Sequence, residues 1–450
     1  MIKFLTNPKH FTGVVLIAIW FSLDIYVPKV LHNFAETFSL VDLFAIVRLV
    51  VPYITFVIFV LFFYKKLNFK TGSFNLNLIL TALILNFLVQ LITSYVYQDI
   101  SINNANLIML SCMSLILFVF DFNFGNSKKT LILSWFVLFA IFSWFSLVMF
   151  QWYFSNENTT ANLYSGWPSS FLIIPGLTEN IPRSSGIGRS SLILTIPLML
   201  YLVIAKRINL IFYFIYNYCF FILIMTQSRI VLFGFFLISF VVTYYVFALK
   251  LKTIEKIKKI ILIFLVPIVI TFGMIAIKTA LLIQFENKKN SSQNLSYDYS
   301  FIKNKNILIR TVDHTNFTSN RFKDWKLILK KNNNVLFGNG AMGDRWIIGQ
   351  SASNLILYNY SSSGIIGVLL FAIFLFRSFF VCSKILLFDE KKISYNNYIL
   401  LGACYIQYFL MGRSLVETSF AVFGIDFLIF FAAYFFTEEY YNKKKIKKII

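Results

Sequence analysis

Apolar stretches of about 18 residues or more recur from end to end of this chain, and each is long enough to cross a bilayer. Hydropathy places about twelve of them, at roughly 11–31, 41–63, 74–97, 105–121, 130–154, 190–205, 208–226, 229–249, 259–283, 358–383, 396–412 and 420–436. The runs are continuous rather than alternating, so they predict helices and not the strands of a membrane barrel. The expected fold class is all-α, a polytopic bundle of transmembrane helices. The first run is too long for a secretory leader and no A-x-A site follows it, so no cleavable signal peptide is expected.

The polar connections set the orientation. Lys65, Lys66 and Lys70; Lys128 and Lys129; Lys206 and Arg207; Lys250, Lys252, Lys256, Lys258 and Lys259; Lys384, Lys391 and Lys392; and the run from Lys443 to Lys448 all fall on one side. The alternate short loops 32–40 and 98–104 carry no Lys or Arg. The positive-inside rule places the Lys-rich side and both termini in the cytoplasm. Two long loops, about 155–189 and 284–357, are then expected outside. The chain divides into spans one to nine (1–283), a large extracytoplasmic loop (284–357), and spans ten to twelve with a basic cytoplasmic tail (358–450).

The large loop starts with Ser/Asn-rich text from Asn290 to Ser300 and then changes character. Phe322, Trp325 and Leu329 recur at helical spacing, which predicts an amphipathic helix lying on the membrane or over a cavity mouth. Ser319 or Asn320 can cap its start, and Asn332, Asn333 and Asn334 can end it.

Composition agrees with a membrane chain. Hydrophobic residues make up 58% and charged residues only 13%, against about 25% charged in a soluble domain. The mean hydropathy is +0.74. The net charge of +22 is distributed as short-loop lysines, a topology and anionic-lipid signal, so no nucleic-acid partner is expected. Cys112, Cys219, Cys382 and Cys404 all lie in apolar runs, where small buried residues are the expectation rather than disulfides.

Against this lysine background, the basic residues near the helix boundaries on the expected outer face are arginines. Arg183, Arg189, Arg229 and Arg413 flank apolar runs, Arg48 lies near the outer end of the second span, and the large loop adds Arg310, Arg321 and Arg345. Arginine is always charged and grips phosphate through a bidentate fork, so the set predicts an anion site. The plainer alternative for any one of them is snorkelling to lipid headgroups, or pairing with Glu417 or Asp42. Arg413 and Glu417 stand four apart and share a face if helical, either as a structural pair or to aim the arginine at a substrate. Gly338-Asn-Gly340-Ala-Met-Gly343 matches G-x-G-x-x-G, but a membrane span follows it, so a tight turn presenting backbone N–H groups is expected instead of a dinucleotide site. Only three histidines occur (His10, His32 and His314), far apart, and no D-x-D pair is present, so no metal or other cofactor is expected.

Arg183-x-x-Gly186, Thr226-x-Ser228-Arg229, Arg321-Phe-x-x-Trp325, Leu336-Phe-Gly-x-Gly340 and Ser353-Asn354, in this order, resemble the O-antigen polymerase and O-antigen ligase superfamily over residues 180–430. The first half of the chain matches only in hydropathy. The resemblance implies a bacterial inner-membrane glycosyltransferase without metal. Its donor would be a glycan on undecaprenyl pyrophosphate, and its site would face the periplasm. Arg183, Arg229 and Arg321 would stabilise charge on the departing pyrophosphate, with Arg48, Arg189, Arg345, Asn354 and Arg413 as further substrate contacts. The acceptor hydroxyl needs a base, for which Asp313, His314, Asp344 and Glu417 stand open. Ligases of the superfamily carry a histidine where this chain has Ser353, which favours a polymerase of surface-polysaccharide repeat units over a ligase. Membrane lipids and a chain-length regulator protein are the implied partners. A flippase for lipid-linked oligosaccharide is the alternative of another class. It leaves the large loop and the outer arginines unexplained.

Overall fold

The computed structural model describes residues 74–97, 127–154, 184–226, 228–249, 251–274, 276–277, 321–349, 351–389, 398–417 and 425–449. The described residues are helical with no strand. Among the described residues, four helices are long and apolar enough to cross a membrane: Gly186–Ile204, Arg229–Ala248, Thr253–Met274 and Leu355–Leu387. That fits a multi-pass membrane protein. The chain forms two compact units, residues 1–139 with 321–450, and residues 140–320. The described end of the large loop, from Arg321 onward, belongs to the same unit as the last helices.

The first unit contains α1 (Phe74–Tyr97), the start of α2 (Ser127–Phe154), α7 (Arg321–Lys331), α8 (Gly343–Ile348), α9 (Leu355–Asp389), α10 (Tyr398–Ser414) and α11 (Ile425–Ile449). Apolar layers alone do not specify how such helices pair in lipid, which is as apolar as leucine, so polar side chains supply the specificity. Between α1 and α9, Asn86 Nδ2 donates to Asn359 Oδ1 (3.1 Å) and Ser363 Oγ donates to Asn86 Oδ1 (2.7 Å). Deeper along α9, Ser378 Oγ donates to Gln407 Oε1 of α10 (2.7 Å), and Gln407 Nε2 donates to Thr437 Oγ1 of α11 (3.1 Å). Arg377 grips the buried Glu438 with two bonds, Nε to Oε2 at 3.2 Å and Nη2 to Oε1 at 2.5 Å. Its guanidinium also lies over the Phe380 and Tyr441 rings. Leu131 of α2 packs against Ala403 of α10 and Ala432 and Ala433 of α11, whose small side chains let α10 and α11 approach closely. The three described cysteines, Cys219, Cys382 and Cys404, are buried and unbonded to each other.

The second unit contains α3 (Ser184–Ile204), α4 (Leu210–Met225), α5 (Arg229–Ala248) and α6, which starts at Thr253, passes through a π turn at Ile261–Leu265 and continues to Met274. Protein buries 83% of the apolar stretch of α3 but only 17% of that of α6, so α3 is the centre of this unit and most of the apolar surface of α6 is left uncovered by protein. The wide turn in α6 is explained by α4: Tyr213 and Tyr216 donate their hydroxyls to the carbonyls of Leu262 (3.0 Å) and Ile263 (2.6 Å). Lys259 donates to the last carbonyls of α3, Leu202 (3.1 Å), Val203 (2.7 Å) and Ala205 (3.0 Å), where a cation offsets the negative end of the helix. The helix α3 starts several residues before the apolar run that predicts it, since Ser184 to Gly188 is polar text that hydropathy discounts.

Candidate functional site

The helix α7 runs from Arg321 to Lys331, as the spacing of its aromatics predicts, and Asn332 N closes its last turn on Ile328 O (3.1 Å). Ile328 is the buried residue, while Phe322 and Leu329 are exposed. Trp325 is held by its indole N–H, which donates to Ala352 O (2.8 Å), and Phe322 packs on it edge-on. One polar anchor thus fixes the helix with Phe322 and Leu329 outward.

At the start of α7, Arg321 meets the end of α10. Its Nη1 donates to Val416 O (2.7 Å), and its Nη2 lies 3.9 Å from Glu417 Oε1. Glu417 also pairs with Arg413, and Arg413 Nη1 donates to Asp426 Oδ2 of α11 (3.2 Å). Two arginines and two carboxylates form one chain across three elements. Burial grades along it: the side chains of Arg413 and Asp426 are 2% and 1% exposed, Glu417 is 22% and Arg321 is 29%. Arg413 is a buried charge paired with two carboxylates, and Arg321 is the partly exposed end of the chain.

Asn354 joins the same corner. Its Nδ2 donates to Leu415 O (2.8 Å) and its Oδ1 accepts from Leu357 N (3.0 Å), so it caps α9 and ties it to the end of α10. Ser353 before it takes a positive φ of 50°. Asp344 is buried and accepts from Ala352 N (2.7 Å) and Arg345 N (2.9 Å), closing the loop that carries Ser353. Burial pushes its carboxyl above the ordinary range, and those backbone donors with the Arg345 charge oppose the shift. Arg345 itself is exposed, with Nη1 donating to Met342 Sδ (2.6 Å).

The G-x-G-x-x-G segment makes tight turns, but its N–H groups point into the protein. Asn339 N and Gly340 N donate to Ser361 O (2.8 Å) and Ser362 O (3.0 Å), Ala341 N donates to Ser94 Oγ (2.7 Å), and Gly343 N donates to Gly340 O (3.0 Å). The amides are occupied by helix carbonyls and a serine, so this is a docking turn and not an anion cradle.

In the second unit, α3 lies hard against the corner between α4 and α5. A Cβ at Gly188 would come 2.5 Å from Thr226 Oγ1 and 3.6 Å from Ser228 Cβ. Only a residue without a side chain permits that approach. Gly188 and Ser228 are the neighbours of Arg189 and Arg229, so the two polar strings separated by an apolar helix meet at one corner. Arg229 is exposed at the first position of α5, and Arg189 is partly buried. Arg48, Arg183 and His314 lie outside the described residues, as do Arg310 and Asp313.

Sequence reasoning missed Asp426 and the Arg377–Glu438 pair. Acidic residues inside or at the end of an apolar run, each a costly charge in a bilayer, are the signal that identifies them. Among the described residues no three side chains of His, Cys, Asp or Glu form a group that could hold a metal ion. No family model matches the chain, and neither the curated proteins nor the solved structures yield a match.

Proposed function

We propose that the protein polymerises lipid-linked surface-polysaccharide repeat units, moving a glycan from a polyprenyl pyrophosphate to an acceptor sugar hydroxyl. In that step the bond from the anomeric carbon to the pyrophosphate oxygen breaks, the acceptor oxygen bonds to that carbon, and its proton passes to a base. Charge gathers on the leaving pyrophosphate, where fixed cations lower the barrier most. The observation that carries the reading is Arg321. Its guanidinium is held from behind by Val416 O and Glu417 yet remains 29% exposed, so a permanent charge is fixed in place before any anion arrives. Glu417 and the buried Arg413 then act as positioning residues for it. Arg183, Arg189 and Arg229 are the further arginines assigned to the pyrophosphate on sequence grounds.

Asp344 has both carboxylate oxygens engaged by backbone amides, and Glu417 sits between two guanidinium groups. The candidates for the base that takes the acceptor's proton are these two carboxylates together with Asp313 and His314. Ser353 in place of a ligase histidine favours chain extension over transfer to a lipid or protein. The site would face the periplasm, on the side opposite the lysine-rich loops.

The test is a gel-resolved extension assay on purified protein given a lipid-pyrophosphate-linked repeat unit. Arg321→Ala is expected to lose about 100-fold or more of the rate, as loss of one preorganised donor does elsewhere. Arg321→Lys should restore little, because the two-pronged fork is lost. A normal length ladder from Arg321→Ala would overturn the proposal.

A further inference from the structure

Helix α9 is broken at Gly364, whose φ of 64° and ψ of −160° leave the helical region. A break in a membrane helix frees backbone groups that lipid cannot satisfy, so protein must do so. Here the loop before α8 does it. Besides the two amides that bond Ser361 O and Ser362 O, the loop presents Val335 O and Leu336 O to Ile365 N (2.9 Å) and Ile366 N (3.4 Å). The fit leaves no room for a side chain at the turn, since a Cβ at Gly338 would lie 2.5 Å from the Ser362–Ser363 backbone. Ala341 N on Ser94 fastens the same loop to α1. Residues 335–343 are therefore bonded to two helices, alongside the break rather than above the start of α9.

The surroundings of that level are apolar. Ile92, Tyr95 and Val96 around Ser94 are exposed on α1, and Ile356, Ile365 and Leu369 are exposed on α9. The loop's own outward residues continue this surface: Val335, Leu336 and Phe337 are 46%, 53% and 44% exposed. From Ile365 to Lys384, nineteen residues of helix rise about 28 Å, close to the roughly 30 Å thickness of bilayer hydrocarbon. With Lys384 at one boundary, the loop lies at the other. Four exposed lysines on α7 (Lys323, Lys326, Lys330 and Lys331) and exposed Trp346 complete the composition of a membrane-interface surface.

We propose that residues 335–337 are a membrane-seated wedge, lodged in the lipid bilayer at the boundary of hydrocarbon and headgroups, with the α7 lysines toward headgroup phosphates. The large loop is then anchored in lipid beside α9, and the Arg321 end of α7 is held at the membrane surface. This inference rests on the membrane reading of the helices and not on the proposed glycan transfer.

The test uses the full chain with a dansyl amino acid at position 337, reconstituted in phosphatidylcholine–phosphatidylglycerol vesicles. Quenching by nitroxide-labelled acyl chains is compared with quenching by aqueous iodide. The same label at the exposed Asn333 serves as the control, and at Leu336 as the second reporter. The expected result is several-fold stronger quenching by the lipid nitroxide than by iodide at 337 and 336. Stronger quenching by iodide at both positions would overturn the wedge, whatever the extension assay shows.

Discussion

Removing the guanidinium at position 413 tests whether the buried charge chain is a structural element. In Arg413→Met the apolar stem is kept and the charge is lost. Two carboxylates then lose their partner. Glu417 is 22% exposed and keeps Arg321 at 3.9 Å, so it reaches water or its second partner at small cost. Asp426 is 1% exposed, and its loss of Arg413 leaves a charge that lipid and apolar neighbours cannot solvate. Breaking one side of a buried pair costs about 3–5 kcal/mol, and the escape open to Glu417 puts this case near the lower end, about 3 kcal/mol. That is roughly a 150-fold change in the unfolding equilibrium. The assay is reversible unfolding of the purified protein in mixed micelles with increasing denaturing detergent. Arg413→Met with Asp426→Leu removes both charges, and is expected to recover at least half of the loss. Arg321→Ala, at the exposed end, is expected to cost below about 1 kcal/mol while abolishing extension. A loss under 1 kcal/mol for Arg413→Met, or no recovery in the double variant, would refute the assignment of Arg413 to structure.

Two further outcomes are expected. Asp344 has a folded-state carboxyl raised by burial, so the folded form holds its proton to higher pH than the unfolded form. Its contribution to stability is complete below the ordinary carboxylate value of about 3.9 and declines as pH rises through the raised value; Asp344→Asn should flatten that decline in thermal unfolding measured across the acid range, and an unchanged pH profile would refute it. Lys259→Met removes three bonds to the carbonyl end of α3, worth about 2 kcal/mol for charged donors, so amides at residues 203–206 should exchange about 30-fold faster, and unchanged exchange would show that the lysine serves only as a topology charge.

Much of the architecture is legible in hydropathy, because a bilayer imposes one requirement on every spanning segment: about 20 apolar residues whose backbone bonds close within the helix. The ranges 74–97 and 229–249 correspond to α1 and α5 within a residue. Periodicity likewise locates α7, and the four-residue spacing of Arg413 and Glu417 gives their pair. These are local properties, decided by residues near each other in the chain.

The partners across the chain were settled by tertiary structure alone. Nothing in Ser361-Ser-Ser-Gly364 announces that a loop some twenty residues earlier will replace the helix bonds there, and the glycines of 338–343 suggested amides offered to an anion until the α9 carbonyls were found on them. Trp325 anchors α7 by a bond to Ala352, and Asp426 completes the Arg413 pair from another helix. Each depends on which polar groups a desolvated interior brings into reach, and a buried donor or acceptor takes whatever partner the packing supplies. The sequence by itself determined that the described segments are helical and apolar in character. Their pairing, the break in α9 and the burial of one arginine with exposure of another came from the three-dimensional accounting of hydrogen bonds and charge.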